Sequence, residues 1–257
     1  MDYLLQQRIY FFFVMTTNKA KVILITGASS GIGETTAKVL AKAGHTVIVA
    51  ARRTERLEAL TRIIKQDGGI AKAYALDVTL RDNFKAVVAA ATDEFGPIDV
   101  LVNNAGLMPL SPMAALKSDE WEQMIDVNIK GVLNGIESVL TAMEQRGGHI
   151  INVASIAAHN VFPTAAVYCA TKFAVRAISN GLRLETKKVR VTTVSPGVVE
   201  SELAHTTTDT ATKAWLEDFR KVALKPEAIA NAIAYAIAQP DDVNVDELIV
   251  QPTQSGY

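Results

Sequence analysis

From Lys21 onward the chain alternates short, unbroken apolar runs with longer segments whose apolar residues recur at helical spacing. The runs are VILI (22–25), TVIVA (46–50), AYAL (73–76), VLV (100–102), IINVA (150–154), VTTV (191–194) and LIV (248–250). A run without polar alternation must be buried on both faces, and that need is met by parallel strands joined through crossover helices. Between the runs, Leu57, Leu60 and Ile64 share one helical face, as do Phe84, Val87, Val88 and Ala91. Thr79 three residues before Asp82, and Ser118 before Asp119 and Glu120, predict helix starts, while Gly44, Gly68 and Gly147 predict helix exits. The Thr-rich stretch His205 to Thr212 predicts a mobile loop. The expectation is one doubly wound α/β domain.

Length and charge narrow the function. At 257 residues the chain holds one well-buried core, assigned to residues 21–257, with residues 1–20 read as a dispensable N-terminal extension. The apolar run Ile9 to Met15 is far shorter than the ~20 residues that span a bilayer, so membrane anchoring is not expected. Twenty-six Lys and Arg against 27 Asp and Glu, with no dense basic stretch, argue against a nucleic-acid partner. One cysteine, Cys169, cannot form an intramolecular bridge, which fits a reducing compartment and a cytoplasmic address. His45, His149, His159 and His205 show no metal-ligand spacing with one another or with Cys169.

In a doubly wound sheet, ligands bind beyond the carboxyl ends of the strands. Strand VILI runs into Thr26-Gly27-Ala28-Ser29-Ser30-Gly31-Ile32-Gly33 and then a helix, the placement a glycine-rich nucleotide loop requires. Gly27 permits the tight turn, Gly31 lets backbone N–H groups approach a pyrophosphate, and Gly33 lets helix and strand pack closely. A glycine loop alone leaves a methyltransferase or a plain tight turn open. With it stand Asn103-Asn104-Ala105-Gly106, Ser155 and Tyr168-Cys169-Ala170-Thr171-Lys172, each at a later strand end or on the following helix. This combination resembles the short-chain dehydrogenase/reductase family over about residues 21–257. The resemblance implies a Rossmann-type sheet with helices on both faces, a nicotinamide cofactor, and a catalytic tetrad falling on Asn128, Ser155, Tyr168 and Lys172. By the same resemblance Lys172 bonds the nicotinamide ribose and Asn128 holds a water that relays protons through Lys172 to Tyr168. Asp77 and Val78 would contact adenine, and Asn104, Ala105 and Gly106 would line the cofactor. Pro196-Gly197-Val198-Val199-Glu200-Ser201 resembles the family's PGxVxT segment beside the carboxamide, with Ser201 in place of Thr.

The chemistry of these positions follows from their side chains. Tyr168 and Lys172, four apart on a predicted helix, share a face. A phenol with an ordinary pKa near 10 becomes a base at neutral pH if lowered by ~3 units, or ~4 kcal/mol. A lysine charge about 4 Å away at an effective dielectric of ~20 supplies roughly that amount, and an oxidised nicotinamide would add to it. Ser155 can donate to a substrate carbonyl oxygen. Cys169 lacks an evident base and reads as a small packed hydrophobe. After strand TVIVA come Ala51, Arg52 and Arg53, where an acid would accept from the ribose 2′-hydroxyl of NAD; guanidinium groups suit the 2′-phosphate of NADP(H) instead.

Candidate substrate walls are Met108, Pro109, Ile156, Ala157, His159, Val161, Val198 and Leu203, suited to a small or medium carbonyl or alcohol. For His159, solvent exposure is expected ahead of substrate contact. ARRTERL and the terminal VNVDELIVQPTQS resemble bacterial NADP-dependent 3-hydroxy acid and serine dehydrogenases and clavaldehyde reductases. The expected activity is hydride transfer between NADP(H) and such a substrate, with Tyr168 as general acid or base. A domain that binds NADP(H) as a sensor or structural partner without turnover is the alternative, against which the complete tetrad argues. Small residues on two helices, Gly131 and Gly135 with Val127, Val132 and Val139, and Ala166, Ala170, Ala174 and Ala177, suggest close helix approach between subunits. Those helices commonly form the family's subunit contacts, which implies a homo-oligomer, a tetramer of closed symmetry.

Overall fold

The computed structural model describes residues 19–255. The apolar run at 9–15, and with it the reading of the extension, lies outside them. Among the described residues, the strands are β1 (Val22–Thr26), β2 (Thr46–Ala51), β3 (Ile70–Ala75), β4 (Val100–Asn103), β5 (Gly148–Val153), β6 (Val189–Pro196) and β7 (Glu247–Val250). They form one sheet in the order β3-β2-β1-β4-β5-β6-β7, every pairing parallel. The helices are α1 (Gly31–Lys42), α2 (Thr54–Gln66), α3 (Arg81–Phe95), α4 (Ser118–Ile125), α5 (Gly131–Arg146), α6 (Ala166–Glu185), α7 (Thr210–Phe219) and α8 (Pro226–Ala238).

The unbroken apolar runs are explained by two cores. Ile23, Ile25, Val47, Val49, Val100 and Val102 point to the face covered by α1, α2 and α8. Leu24, Ile48, Leu101 and Ile150 point to the face covered by α3, α5 and α6. Successive strand residues thus enter opposite cores, and burying each large side chain contributes roughly 1.5–3 kcal/mol over leaving it exposed. β3 begins at Ile70, three residues before the predicted run, because an edge strand needs only one buried face; Ile70 itself is 55% exposed.

The helix ends correct two expectations. Leu80, not Thr79, holds the N-cap position of α3; Thr79 instead directs its N–H and hydroxyl to Asp77 Oδ1, at 3.0 and 2.7 Å, so the nearby carboxylate wins the side chain from the helix. Lys117 precedes α4, leaving Ser118 as its first helical residue. The glycine exits hold: Gly44, Gly68 and Gly147 take φ of +89°, +83° and +88°, which favours glycine.

The stretch 205–212 is not a free loop. Its two ends belong to a 3-10 turn (Glu202–Thr206) and to the start of α7, residues 207–209 link them without regular structure, and the hydroxyls of Thr206 and Thr207 find backbone partners. Met108 N–H donates to Thr206 Oγ1 at 3.1 Å, and Thr207 Oγ1 donates to Met108 O at 3.1 Å, which seams the turn to the segment after β4. Gly131 and Gly135 also depart from expectation. A Cβ on Gly131 would stand 2.8 Å from Val78 Cγ2, and one on Gly135 would overlap Asn103 Oδ1, so these glycines seat α5 on its own sheet. Val132 and Val139 are buried in the same core, and Val127 packs against it.

Connectivity places the site. The chain winds outward from β1 to β3 and then returns to lay β4 on the other side of β1, opening a crevice at their carboxyl ends.

Candidate active site

Thr26, the last residue of β1, ties the crevice together. Its hydroxyl accepts from the N–H groups of Asn104 and Ala105 at 3.0 and 3.1 Å, and its carbonyl accepts from Asn104 Nδ2 at 2.9 Å. The glycine loop fits against this seam. Gly27 (φ +65°) lies where a Cβ would come within 2.8 Å of Ala105 Cα, and a Cβ on Gly33 would stand 2.6 Å from Gly27 O. Gly33 thus packs the start of α1 onto the turn after β1 and onto Asn104; expected also to bind the cofactor, it does not line the cavity described next.

A cavity of about 710 Å³ runs from this loop across the sheet ends. At its glycine-loop end stand Gly27, Ser29, Ser30, Gly31 and Ile32, with Arg52 and Arg53 beyond β2 and Asp77 and Val78 beyond β3. Its middle is walled by Asn104, Ala105, Gly106, Pro196, Gly197, Val198 and Ser201, and its far end holds Ser155, Tyr168 and Lys172. Residues spread from 27 to 201 along the chain are thus brought into one space. Of the expected substrate walls, Met108, Ile156, Ala157, Val198 and Leu203 line it; Pro109, His159 and Val161 do not.

Each of the four tetrad positions is held by a different device. Ser155 lies two residues beyond β5 and caps a short 3-10 turn, where its Oγ accepts from Ala157 N–H at 3.1 Å and leaves its own proton to donate. Tyr168 and Lys172 lie one turn apart on α6, both buried. Lys172 Nζ donates to Val153 O at 3.0 Å and sits 5.7 Å from the centre of the Tyr168 ring. Asn128 occupies a π-helical turn (Asp126–Lys130) between α4 and α5 and is 1% exposed. Its Oδ1 accepts from Leu107 N–H at 3.0 Å, and its Nδ2 donates to Leu107 O and Thr171 Oγ1 at 3.0 and 3.1 Å. Asn128 does not line the cavity, but it borders the space around Gly106 that Lys172 Nζ also borders.

The electrostatics of the pair reverse one expectation. In the protein alone, burial pushes Tyr168 up to about 12, opposed by a hydrogen bond from Ser155. The same burial brings Lys172 down to about 8. Desolvation dominates at Tyr168, while the Lys172 ammonium lies over the ring and is held by a backbone carbonyl. Cys169 is 1% exposed with its thiol pushed up by burial, the behaviour of a packed hydrophobe.

His159 meets neither of its expected fates. Its Nε2 lies 2.9 Å from Glu247 Oε1 and 3.3 Å from Ser195 Oγ, a partly buried brace between the end of β5 and the outer strands β6 and β7. Several wall residues escaped the sequence reading: Leu110, Phe162, Ala204 and Leu216 supply apolar surface, and Arg56, Glu202 and Arg220 supply charge. Only Arg56 carried a local signal, three residues past Arg53 on the same helix face. Among the described residues no group of three His, Cys, Asp or Glu could hold a metal ion, and no helix is long and apolar enough to cross a membrane.

The family described as short chain dehydrogenase matches residues 21–212. An uncharacterized oxidoreductase of Staphylococcus saprophyticus is 49% identical over 93% of this chain and 98% of its own. Among solved structures, a closed form of serine dehydrogenase complexed with NADP+ superposes with a TM-score of 0.85 at 35% identity, covering 92% of this chain and 96% of that one. An alcohol dehydrogenase from the archaeon Thermococcus sibiricus, complexed with 5-hydroxy-NADP, gives 0.84 at 30% identity, covering 92% and 98%. With the match spanning most of its length and the sheet order, glycine loop and Ser-Tyr-Lys cluster all in place, the chain belongs to the short-chain dehydrogenase/reductase family of oxidoreductases.

Proposed function

We propose that the protein is an NADP(H)-dependent oxidoreductase interconverting a small alcohol and its carbonyl compound, with residues 21–257 as one catalytic domain. The observation that carries this reading is the convergence of Ser155, Tyr168 and Lys172 at one end of a cavity whose other end presents Arg52 and Arg53. The cavity fits the cofactor. Gly27 and Gly31, both at positive φ, leave the backbone bare for a pyrophosphate, and no carboxylate stands at the end of β2 to receive a free ribose hydroxyl. Arg52 is exposed there, and Arg53 is tethered to the Ser29 and Ser30 hydroxyls. Each charge-assisted bond to a 2′-phosphate contributes about 1.5–3 kcal/mol, so two arginines support a large preference for NADP(H) over NAD(H).

When bound, the nicotinamide supplies or accepts the hydride. Around it the chain positions and moves protons. Ser155 donates to the carbonyl oxygen and fixes the bond to be reduced. Tyr168, held near pKa 12, keeps its proton at neutral pH and so enters carbonyl reduction ready to act as general acid. In alcohol oxidation Tyr168 must first lose that proton, a step helped by the charge on Lys172 and by the positive charge of an oxidised nicotinamide. Lys172 would hold the ribose edge, and Asn128 Oδ1 borders the same space around Gly106 as Lys172 Nζ.

A narrower reading, a 3-hydroxy acid or serine as substrate, is favoured by the likeness to serine dehydrogenase and by Arg220, which lines the same cavity while its Nη2 donates to Ser201 O at 2.6 Å. A cytoplasmic address and a homo-oligomer, a tetramer, complete the proposal. The first is supported by the unpaired Cys169, the second by the outward face of α6. Following nicotinamide absorbance over a panel of carbonyls, alcohols and 3-hydroxy acids including serine tests the activity. Turnover on one substrate class with NADPH is expected; cofactor binding with no turnover on any class would favour the sensor reading.

A further inference from the structure

Glu202 bridges the mouth of the cleft to the far side. Arg53 and Arg56 lie at the start of α2, and both reach it: Arg53 Nη1 donates to Glu202 Oε2 at 2.5 Å and Arg56 Nη1 to Glu202 Oε1 at 2.6 Å. Arg53 spends its other donors on the glycine loop, with Nε and Nη2 on Ser29 Oγ at 3.0 and 2.8 Å and Nη2 also on Ser30 Oγ at 2.8 Å. One carboxylate thus uses both oxygens on two guanidiniums that frame the nucleotide end of the cavity. A phosphate would seek the same arrangement. Two anions cannot share this pair of cations without repulsion, and a phosphate near neutral pH carries more charge than a carboxylate.

Glu202 also opens the 3-10 turn that ends at Thr206, and Leu203, Ala204 and Thr206 of that turn line the cavity. The preceding Ser201 lies over the glycine loop, its Cβ 3.3 Å from where a Cβ on Gly31 would stand. The far end of the turn holds Met108 through Thr206 and Thr207. The ion pairs are about half exposed, so they can be exchanged at little cost. Hydrogen bonds from Arg53 and Arg56 hold the Glu202 carboxyl down at about 2, which keeps it charged at every pH of interest.

We infer that Glu202 is a latch that occupies Arg53 of the 2′-phosphate site together with the adjoining Arg56, so that a nucleotide bearing that phosphate displaces it and frees the turn over the substrate end. The inference rests on the NADP(H) reading and adds to it a residue that sets cofactor affinity and couples it to the substrate wall.

The test uses the full chain and its E202Q variant, which keeps shape and removes charge, with adenosine 2′,5′-bisphosphate and 5′-AMP as probes in calorimetry. The unmutated protein should bind the bisphosphate more tightly than AMP. E202Q should bind the bisphosphate a further three- to tenfold more tightly, with AMP unchanged. In hydrogen exchange, the bisphosphate and not AMP should speed exchange at residues 201–207 of the unmutated protein, whereas E202Q should exchange fast from the start. A preference for the bisphosphate that E202Q leaves unchanged or weakens would overturn the latch alone. Equal binding of the two probes by the unmutated protein would overturn the 2′-phosphate reading and the latch with it.

Discussion

Lys172 carries its charge where charge is costly, and this makes it the residue whose role can be read from stability as well as from rate. Its pKa is about 8 in the folded protein against an ordinary 10.5. Between those values the unfolded chain binds more protons than the folded one, so stability rises with pH; below about 8 the whole penalty is present. Lys172→Met should therefore be more stable than the unmutated protein at pH 7, by about 1–3 kcal/mol, with the gap closing toward pH 10. Urea melts at the two pH values measure it, and a gap independent of pH would remove the argument. Tyr168→Phe separates chemistry from packing at the neighbouring position. The ring stays in its cluster with Leu110, Met124 and Cys169 while the proton carrier is lost. Turnover should fall at least ~10²-fold with nucleotide binding intact; a kcat within a few fold of the unmutated value would show that another group moves the proton.

At the scale of elements, two glycines on neighbouring helices make opposite predictions. Gly135 on α5 lies against Asn103, whose Nδ2 donates to Asn152 Oδ1 at 2.9 Å and which is only 3% exposed. A methyl there overlaps Asn103 Oδ1 and approaches Phe84 Cζ to 3.1 Å. Overpacking of this kind costs about 1–3 kcal/mol, more than the roughly 0.5–1 kcal/mol that alanine gains in a helix. Gly181 on α6 has nothing within 4 Å of its missing Cβ. Thermal melts should then show Gly135→Ala destabilised and Gly181→Ala stabilised. The helix and strand segments were legible in the chain because burial leaves a periodic trace. The cap at Thr79 was not, since Asp77 competes for the same hydroxyl and the winner depends on where the backbone turns.

For the whole molecule, the direction of the small residues decides what can associate. Gly131 and Gly135 face inward, so the argument for subunit contact rests on α6, where Ala166, Ala170 and Ala177 are exposed with Phe173 at 40% and Leu184 at 80%. An apolar stripe of this width on one helix is better covered than wet. Light scattering at micromolar concentration should find an oligomer, and Phe173→Glu should shift it toward monomer without lowering the activity of α6's buried face by misfolding, which circular dichroism checks. A monomer at those concentrations would refute the proposal.

Local patterns in the chain were enough for the doubly wound sheet, the glycine loop and the Ser155, Tyr168 and Lys172 cluster, but not for the apolar and charged wall that Leu110, Phe162, Leu216, Arg56 and Glu202 add. The sheet, loop and cluster follow from local rules: burial on both faces of a strand, the turn after β1, and the one-turn spacing of Tyr168 and Lys172. Tertiary structure alone decided how those residues behave. Tyr168 rises where the neighbouring charge was expected to lower it, because the water excluded around it depends on every element packed there. His159 braces Glu247 across 88 residues of chain, and Arg53 meets Glu202 across 149. No periodicity records such meetings. They arise only when the crossovers bring distant strand ends to one edge of the sheet, and the balance of charge and desolvation at that edge has no local trace in the chain.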